Sequence, residues 1–582
     1  MLKRLLRRIV RIVVVIIALF LIVLVSEYVS HRYKPGSVLV LELDGPIPER
    51  GSQSPLGLLN SPGASLNVVR TALSTAERDP RIVGLAIKVV DPQMELAQAQ
   101  ELCAMITEFK AHGKWTTAYM ESAGEDGFGN LPYLVASTAD EVSMMPQGEM
   151  NLLGVGMREV FARGLLDWIK VTPNFAAIGK YKSAANIFTE KDYTAGQREE
   201  DEALATSMFE QITNAAAAHR HLDPAAIRAI VDRAPLTAAD GLKAHLLDRL
   251  EYEDQFDDRV KHYRGEHHEL VNYDSYARPR MSPLGHSGGK IAVIYGVGAI
   301  QRGQGGFDPI LSPGSEAMGS DDLIAAFKDA REDDDVRAVI FRIDSPGGSV
   351  IASELIRRAV ELTAAKKPVV VSMSSYGASG GYWVATPAAE IIADPGTITG
   401  SIGVLGGKFN IAGAMAAIGI NSDAISRGAN ALMYDSFSDF TPAQQQVFKD
   451  QILGGTYQYF LALVAKQRHM TIDQVNAVAQ GRVWTGEQAL QVKLVDKLGG
   501  FNLALKEAKR LSNIDPRASV QIEELPEAQS LVSRLLSGQV YGVERAQAGI
   551  PRTLEPLVWL MREAAARHTA MGEVYCPLVP VM

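Results

Sequence analysis

Ser379 stands among glycines. In SSYGASGGYW it is flanked by Gly377, Gly380 and Gly381, small neighbours that let a substrate backbone reach the hydroxyl. A helix opening just after it would aim its positive end at the same place. Gly377 to Gly381 spells G-x-S-x-G, the nucleophile-elbow pattern, although the same serine could equally cap a helix in a glycine-rich turn. Upstream, DSPGGS (Asp344 to Ser349) closes an apolar run with Gly347 and Gly348 opening a helix. Backbone N–H groups there, with that of Gly380, could face a developing oxyanion if neighbouring strand ends bring them beside Ser379. The plain alternative is a tight turn with Ser349 as N-cap, and both can hold at once.

A serine nucleophile needs a base. The chain has no histidine between His286 and His469, so an elbow hydrolase would require His469 or His568, after an acidic partner. His469, in KQRHMTIDQV, closes a long helical pattern, where histidine is ordinary. Lysine is the other choice. GKYKSAANIF sets Lys180 and Lys182 around Tyr181 in an otherwise small and apolar segment, although paired lysines usually mark a solvated loop. A lysine acts as a base only when neutral, so burial must lower its pKa by several units from about 10.4. Ser401, in TGSIG, could orient such an amine or simply bond to backbone.

These residues belong to a chain that contains itself twice. VLVLELDGPIPERG from Val38 matches KIAVIYGVGAIQRG from Lys290, with Gly45 and Gly298 offset by 253. Further on the offset becomes 249, and across Asn130 to Gly154 seven of 25 positions are identical, among them Tyr133/Tyr382, Glu141/Glu390 and Gly154/Gly403. Random pairing would give about two. The same offset places Asn130 opposite Ser379 and Ala431 opposite Lys182. One half keeps the amine without the hydroxyl, the other the hydroxyl without the amine. Such complementary loss is expected of one site assembled between two domains.

Each half reads β-α-β-α-β. In the second, strands are expected at Ala338 to Ile343, Pro368 to Met373 and Ile391 to Ala393, with a helix reaching Ala365 and another from about Gly381. Continuous β-branched strands alternating with helices predict mainly parallel sheets covered by helices. The expected division is residues 1–35 as basic end and anchor, 36–278 as the first α/β domain, 279–289 as a Pro/Gly/Ser linker, 290–520 as the second α/β domain, and 521–582 as a helical tail.

The 582 residues carry a net charge of −9 although five basic residues precede the first acid, which argues against nucleic acid as a partner. Cys103 and Cys576 are too far apart in sequence for a CxxC site. Ile9 to Val25 is apolar apart from Arg11, the short end of a membrane span, and SEYVSHRYK after it lacks a small-x-small cleavage pattern. An uncleaved single-pass anchor is expected, with the basic end inside and the bulk outside.

GKYKSA, DSPGGS, ASGGYWVAT and TGSIG, in this order after one amino-terminal anchor, resemble signal peptide peptidase A of the long duplicated bacterial type, the protease IV family. The resemblance implies tandem Clp-protease/crotonase-like spiral domains, a homotetramer on the bacterial inner membrane facing the periplasm, and endopeptidase cleavage of residual signal peptides and other apolar peptides. Carried over by position, it implies Ser379 as nucleophile, Lys182 as general base, Ser401 as the residue orienting Lys182, and Gly347, Gly348 and Gly380 as oxyanion donors. No metal or cofactor is implied. A Ser-His elbow hydrolase, a non-catalytic membrane scaffold binding hydrophobic peptides, and an acyl-CoA enzyme with paired glycine N–H groups are the competing expectations.

Overall fold

The computed structural model describes residues 33–51, 64–125, 127–277, 288–307, 316–526 and 573–575. The expected anchor, His568 and most of the expected linker and tail lie outside these residues. No helix among the described residues is long and apolar enough to cross a membrane.

Apolar runs become parallel strands, as their composition dictates. The first sheet orders Arg249–Leu250, Glu141–Met144, Trp115–Met120, Ile82–Gln93, Ser37–Pro46 and Leu270–Asn272, every neighbouring pair parallel. Its counterpart in the second half runs Val483–Thr485, Ile398–Gly400, Val369–Ala378, Val336–Ser345, Lys290–Val297 and Gln521–Leu525, with Glu390–Ala393 and Lys497–Leu498 attached beside Val369–Ala378. All of its pairs are parallel except Val483–Thr485 on Ile398–Gly400. Val339, Ile340, Phe341, Val369, Val370 and Val371 have no exposed surface. Strands covered on both faces need continuous rather than alternating apolar residues, and each such side chain contributes roughly 1.5–3 kcal/mol through burial.

The duplication extends beyond the aligned stretch into individual contacts. The Tyr133 hydroxyl donates to the Leu246 carbonyl at 3.0 Å, and that of Tyr382 to the Leu494 carbonyl at 2.7 Å. Arg220 pairs with Asp248 at 2.8 Å as Arg468 pairs with Asp496 at 2.7 Å. Each long helix, Ala195–Arg220 and Gly454–Arg468, ends on a left-handed histidine, His221 and His469.

One expected boundary needs correction. Gln521–Leu525, assigned to a helical tail, is a strand parallel to Lys290–Val297 and the counterpart of Leu270–Asn272 on Ser37–Pro46. Its acidic residues hid it: the Glu524 carboxylate accepts from Asn67 of the first half at 3.1 Å and from Tyr295 of its own half at 3.4 Å, so polarity there serves specific contacts, one of them between the halves. The halves also share a sheet. Thr172–Ile178 of the first pairs antiparallel with Val404–Asn410 of the second, in a third sheet ordered Gly306–Phe307, Glu316–Gly319, Ala299–Gln301, Gly347–Ser349, Glu573–Tyr575, Val404–Asn410 and Thr172–Ile178.

A buried ionic cluster joins the halves. Arg342, fully buried on Val336–Ser345, donates to both carboxylate oxygens of Glu49 at 2.7 and 3.0 Å, to Glu101 at 2.5 Å and to the Ser372 hydroxyl at 2.8 Å. Ser374 also donates to Glu49. Arg70 reaches Glu101 at 3.4 Å while its guanidinium lies 3.8 Å from the centre of the Phe501 ring. Burial opposes ionisation of Glu101, yet Arg342 and Arg70 hold its carboxyl below the usual range.

Candidate active site

Strand Val369–Ala378 delivers Ser379 directly to the start of helix Gly380–Ala385. The turn is sharp: Ser379 has φ 56° and ψ −114°, a region costing a non-glycine residue about 1–3 kcal/mol. Ser379 occupies the N-cap position, but its side chain makes no capping bond, so the hydroxyl is left for other partners. Its backbone is held instead, the N–H donating to the Gly400 carbonyl at 2.8 Å.

Lys182 arrives from the other half. Lys182 Nζ lies 2.7 Å from Ser379 Oγ, 2.9 Å from Ser401 Oγ and 3.1 Å from the Ser401 carbonyl oxygen. Lys182 is 3% exposed, and Ser379 and Ser401 have no exposed surface. The GKYK turn is pinned by the second half, with the Tyr181 N–H donating to the Gln480 carbonyl at 2.8 Å. Gly179, at φ 116°, must be glycine because a Cβ there would stand 2.4 Å from the same carbonyl. Gly481 likewise has no room for a side chain, since its Cβ would sit 2.6 Å from Lys182 Cβ.

The two lysines part company. Lys180 is on the surface, 2.7 Å from Glu199 and 3.1 Å from the Tyr181 hydroxyl, and the Glu199 hydrogen bond and charge raise its pKa further. His469 caps its helix at φ 52° and is exposed. In the first half Asn130 stands where Ser379 stands in the second, its amide bonded to Gly154 in both directions at 2.6 and 3.3 Å.

The three glycines converge. A Cβ placed on Gly380 would lie 3.2 Å from both Gly347 Cα and Gly348 N. Gly347 and Gly348 adopt φ of 109° and 152°, open to glycine but strained for other residues. They form a short strand, Gly347–Ser349, rather than the first turn of the helix, and Ser349 caps Val350–Ala364 by accepting from the Ala352 N–H at 3.3 Å. Gly347 N–H donates to Ser345 Oγ at 3.2 Å, which leaves Gly348 and Gly380 as the better-placed donors for an oxyanion beside Ser379.

Two carboxyl groups near the site had no signal in the sequence. Glu200 accepts from the Val483 N–H at 3.0 Å, and burial pushes its carboxyl well above the usual range. The adjacent Arg482 carbonyl accepts from the Ser401 N–H at 2.8 Å, so Glu200 steadies the segment behind Ser401 and Lys182. Asp344, which precedes the glycine pair, accepts from the Tyr376 N–H at 2.9 Å. Burial, reinforced by the Glu49 carboxylate, raises its pKa to about 7.

The folded chain therefore retains a proton on Asp344 between its unfolded value near 3.8 and about 7. Its contribution to stability is full below that window and is lost as pH rises through it. Asp344→Asn keeps the acceptor and cannot ionise. Its thermal midpoint is expected to gain on the wild type from pH 4 to 7 and hold a constant difference above. A difference that does not change with pH would contradict this assignment.

A buried hydroxyl held by an amine, with backbone donors grouped beside it, defines a site suited to serine-type hydrolysis. Comparison of the sequence agrees. The model of peptidase family S49 matches residues 108–265 and 361–515. Over 508 residues, the chain is 32% identical to "Protease 4" of Salmonella typhi, covering 84% of this chain and 79% of that one. It is 30% identical over 509 residues to "Protease 4" of Haemophilus influenzae, covering 84% and 80%. It is also 30% identical over 533 residues to "Serine protease SPPA, chloroplastic" of Arabidopsis thaliana, covering 90% and 76%. The chain belongs to peptidase family S49, in its long, duplicated SppA form, and is a serine protease.

Proposed function

We propose that the chain is a membrane-anchored endopeptidase with a Ser379–Lys182 dyad, degrading signal peptides and other apolar peptides after secretion. In this reading its tandem halves are Clp-protease/crotonase-like spiral domains. They work as a homotetramer on the periplasmic side of a bacterial inner membrane. The observation that carries the proposal is the 2.7 Å approach of Lys182 Nζ to Ser379 Oγ from opposite halves of the chain. Ile9 to Val25 supports an anchor by its length and apolar character.

Catalysis starts from the neutral amine, the form that burial favours. Ser379 Oγ attacks the scissile carbonyl carbon while its proton passes to Lys182 Nζ, and the resulting oxyanion is met by the Gly348 and Gly380 N–H groups. The C–N bond then breaks. Its amine leaves with the proton from Lys182, and an ester to Ser379 remains. Water attacks that ester, again giving its proton to Lys182; the acyl C–Oγ bond then breaks as Lys182 passes the proton to Ser379 Oγ, and the peptide leaves as an acid that ionises in water, with Ser379 and the neutral amine restored. Ser401 positions the amine throughout, holding Nζ at 2.9 Å through Oγ and at 3.1 Å through its carbonyl.

The test is labelling by a fluorophosphonate together with hydrolysis of an apolar fluorogenic peptide. Wild type is expected to label at Ser379 and to cleave, and Ser379→Ala to do neither, while His469→Ala matches wild type. Loss of hydrolysis in His469→Ala would restore the Ser-His reading. Absence of labelling in the folded wild type would favour the scaffold.

A further inference from the structure

Lys182 and the serine that orients it share one backing, the segment Gln480 to Arg482 of the second half. On one side the Gln480 carbonyl accepts from the Tyr181 N–H at 2.8 Å, and Gly481 packs against Lys182. On the other, the Arg482 carbonyl accepts from the Ser401 N–H at 2.8 Å, and the Gly481 N–H donates to the Ile402 carbonyl at 2.8 Å. Ser401 has φ 50°, a left-handed backbone that a serine keeps only where its surroundings impose it. With its backbone so held, both its hydroxyl and its carbonyl reach Lys182 Nζ.

The side chain of Arg482 ties this backing to the first half. Its guanidinium donates to Glu199 at 3.2 Å and to the Tyr181 hydroxyl at 3.4 Å. It lies 4.9 Å from the centre of the Tyr181 ring and 4.4 Å from that of Trp484. Glu199, on helix Ala195–Arg220, also accepts from the Tyr181 hydroxyl at 2.8 Å and from Lys180 Nζ at 2.7 Å. The next residue, Glu200, accepts from the Val483 N–H at 3.0 Å. Consecutive acids of the first half thus grip consecutive residues of the second. An isolated surface ion pair would hold little, but a network that combines a planar fork with two ring faces fixes a geometry.

The duplication points the same way. Arg220 and Arg468 are offset by 248, and that offset sets Ala234 opposite Arg482. At 249, the offset of Lys182 and Ala431, Glu199 stands opposite Phe448. Each half therefore keeps one member of the pair, in the same division as the reacting groups: amine and acid in the first, hydroxyl and guanidinium in the second.

We propose that Arg482, held by Glu199, is a positioning residue for peptide hydrolysis, fixing Ser401 against Lys182 and so keeping Lys182 Nζ aimed at Ser379 Oγ. The proposal rests on the reading of Ser379 and Lys182 as the dyad.

The experiment compares the full chain carrying Arg482→Met, Glu199→Ala or both with wild type, using the fluorogenic peptide and circular dichroism to match folding. Each single variant is expected to lower kcat about tenfold while KM stays within about twofold, because a misaimed amine costs the transition state rather than substrate binding. The double variant is expected to fall no further than the lower single, since both changes remove one contact. Glu199 is half-exposed on its helix, so Glu199→Ala decides the matter if Arg482→Met fails to fold. A wild-type kcat in a folded single variant, losses that multiply in the double variant, or a raised KM with kcat intact would overturn the proposal. If Lys182→Ala kept full hydrolysis, the dyad reading would fail and this role with it. Full kcat in Arg482→Met beside an inactive Lys182→Ala would strike the positioning role alone.

Discussion

Lys182→Ala is expected to lower kcat for peptide hydrolysis by a factor on the order of 10⁴, the scale seen when a member of a nucleophile–base set is removed. The cause is local. Ser379 Oγ has an amine at 2.7 Å to take its proton, and His469 is an exposed helix cap. Without Lys182 the hydroxyl remains a weak nucleophile, and the leaving amine has no proton donor. Lys182→Arg is expected to be as inactive as the alanine variant, because guanidinium stays protonated and cannot accept a proton. KM should change far less than kcat, since the lost interaction belongs to the transition state rather than to substrate binding. Steady-state kinetics on folded variants, matched by circular dichroism, decide the matter. A Lys182→Arg variant retaining a tenth or more of wild-type kcat would exclude lysine as the base.

Arg342→Ala is expected to cost roughly 3–5 kcal/mol of stability, the range for removing one partner from a buried ionic group. Arg342 satisfies Glu49 through two bonds and Glu101 through one, and neither carboxylate is more than 3% exposed. Truncation leaves both acids buried without their main counter-charge. Replacing the group with shape-matched apolar residues would instead be close to neutral. The consequence reaches the active site, because Glu49 also holds Ser374 on the strand that leads into Ser379. The first half supplies Glu49 and Lys182, the second Arg342 and Ser379. Loosening the joint is therefore expected to lower kcat in conditions where the variant remains folded. Urea denaturation measures the first effect and kinetics below the transition the second. A change of less than 1 kcal/mol would mean that water or a neighbouring base replaces Arg342.

Much of the architecture is legible in the sequence. Runs such as AVIFRI and PVVVSM carry β-branched residues without alternation, which only a strand buried on both faces requires, and both lie in a parallel sheet. The duplication was legible because equivalent contacts constrain equivalent residues: Tyr133 and Tyr382 each reach a backbone carbonyl at the same place in their halves. Strand Gln521–Leu525 was not legible, because an edge strand that places Glu524 against Asn67 and Tyr295 has no apolar pattern to detect. Glu573–Tyr575 was equally hidden. Three residues have no periodicity, and their pairing depends on partners far away in the chain.

Residue type, spacing and the repeat offset singled out Ser379, Lys182, Ser401 and the glycines, because each of those signals is local or relates equivalent positions in two copies. Their meeting is another kind of fact. Tyr181 anchored on Gln480 and Thr172–Ile178 paired with Val404–Asn410 carry one lysine inward, while Lys180, two residues earlier, stays in water against Glu199. The Arg342 cluster holds the halves at the required separation. The burial of Lys182 and its approach to Ser379 and Ser401 arise from contacts between segments about two hundred residues apart, and such contacts exist only once the chain has folded.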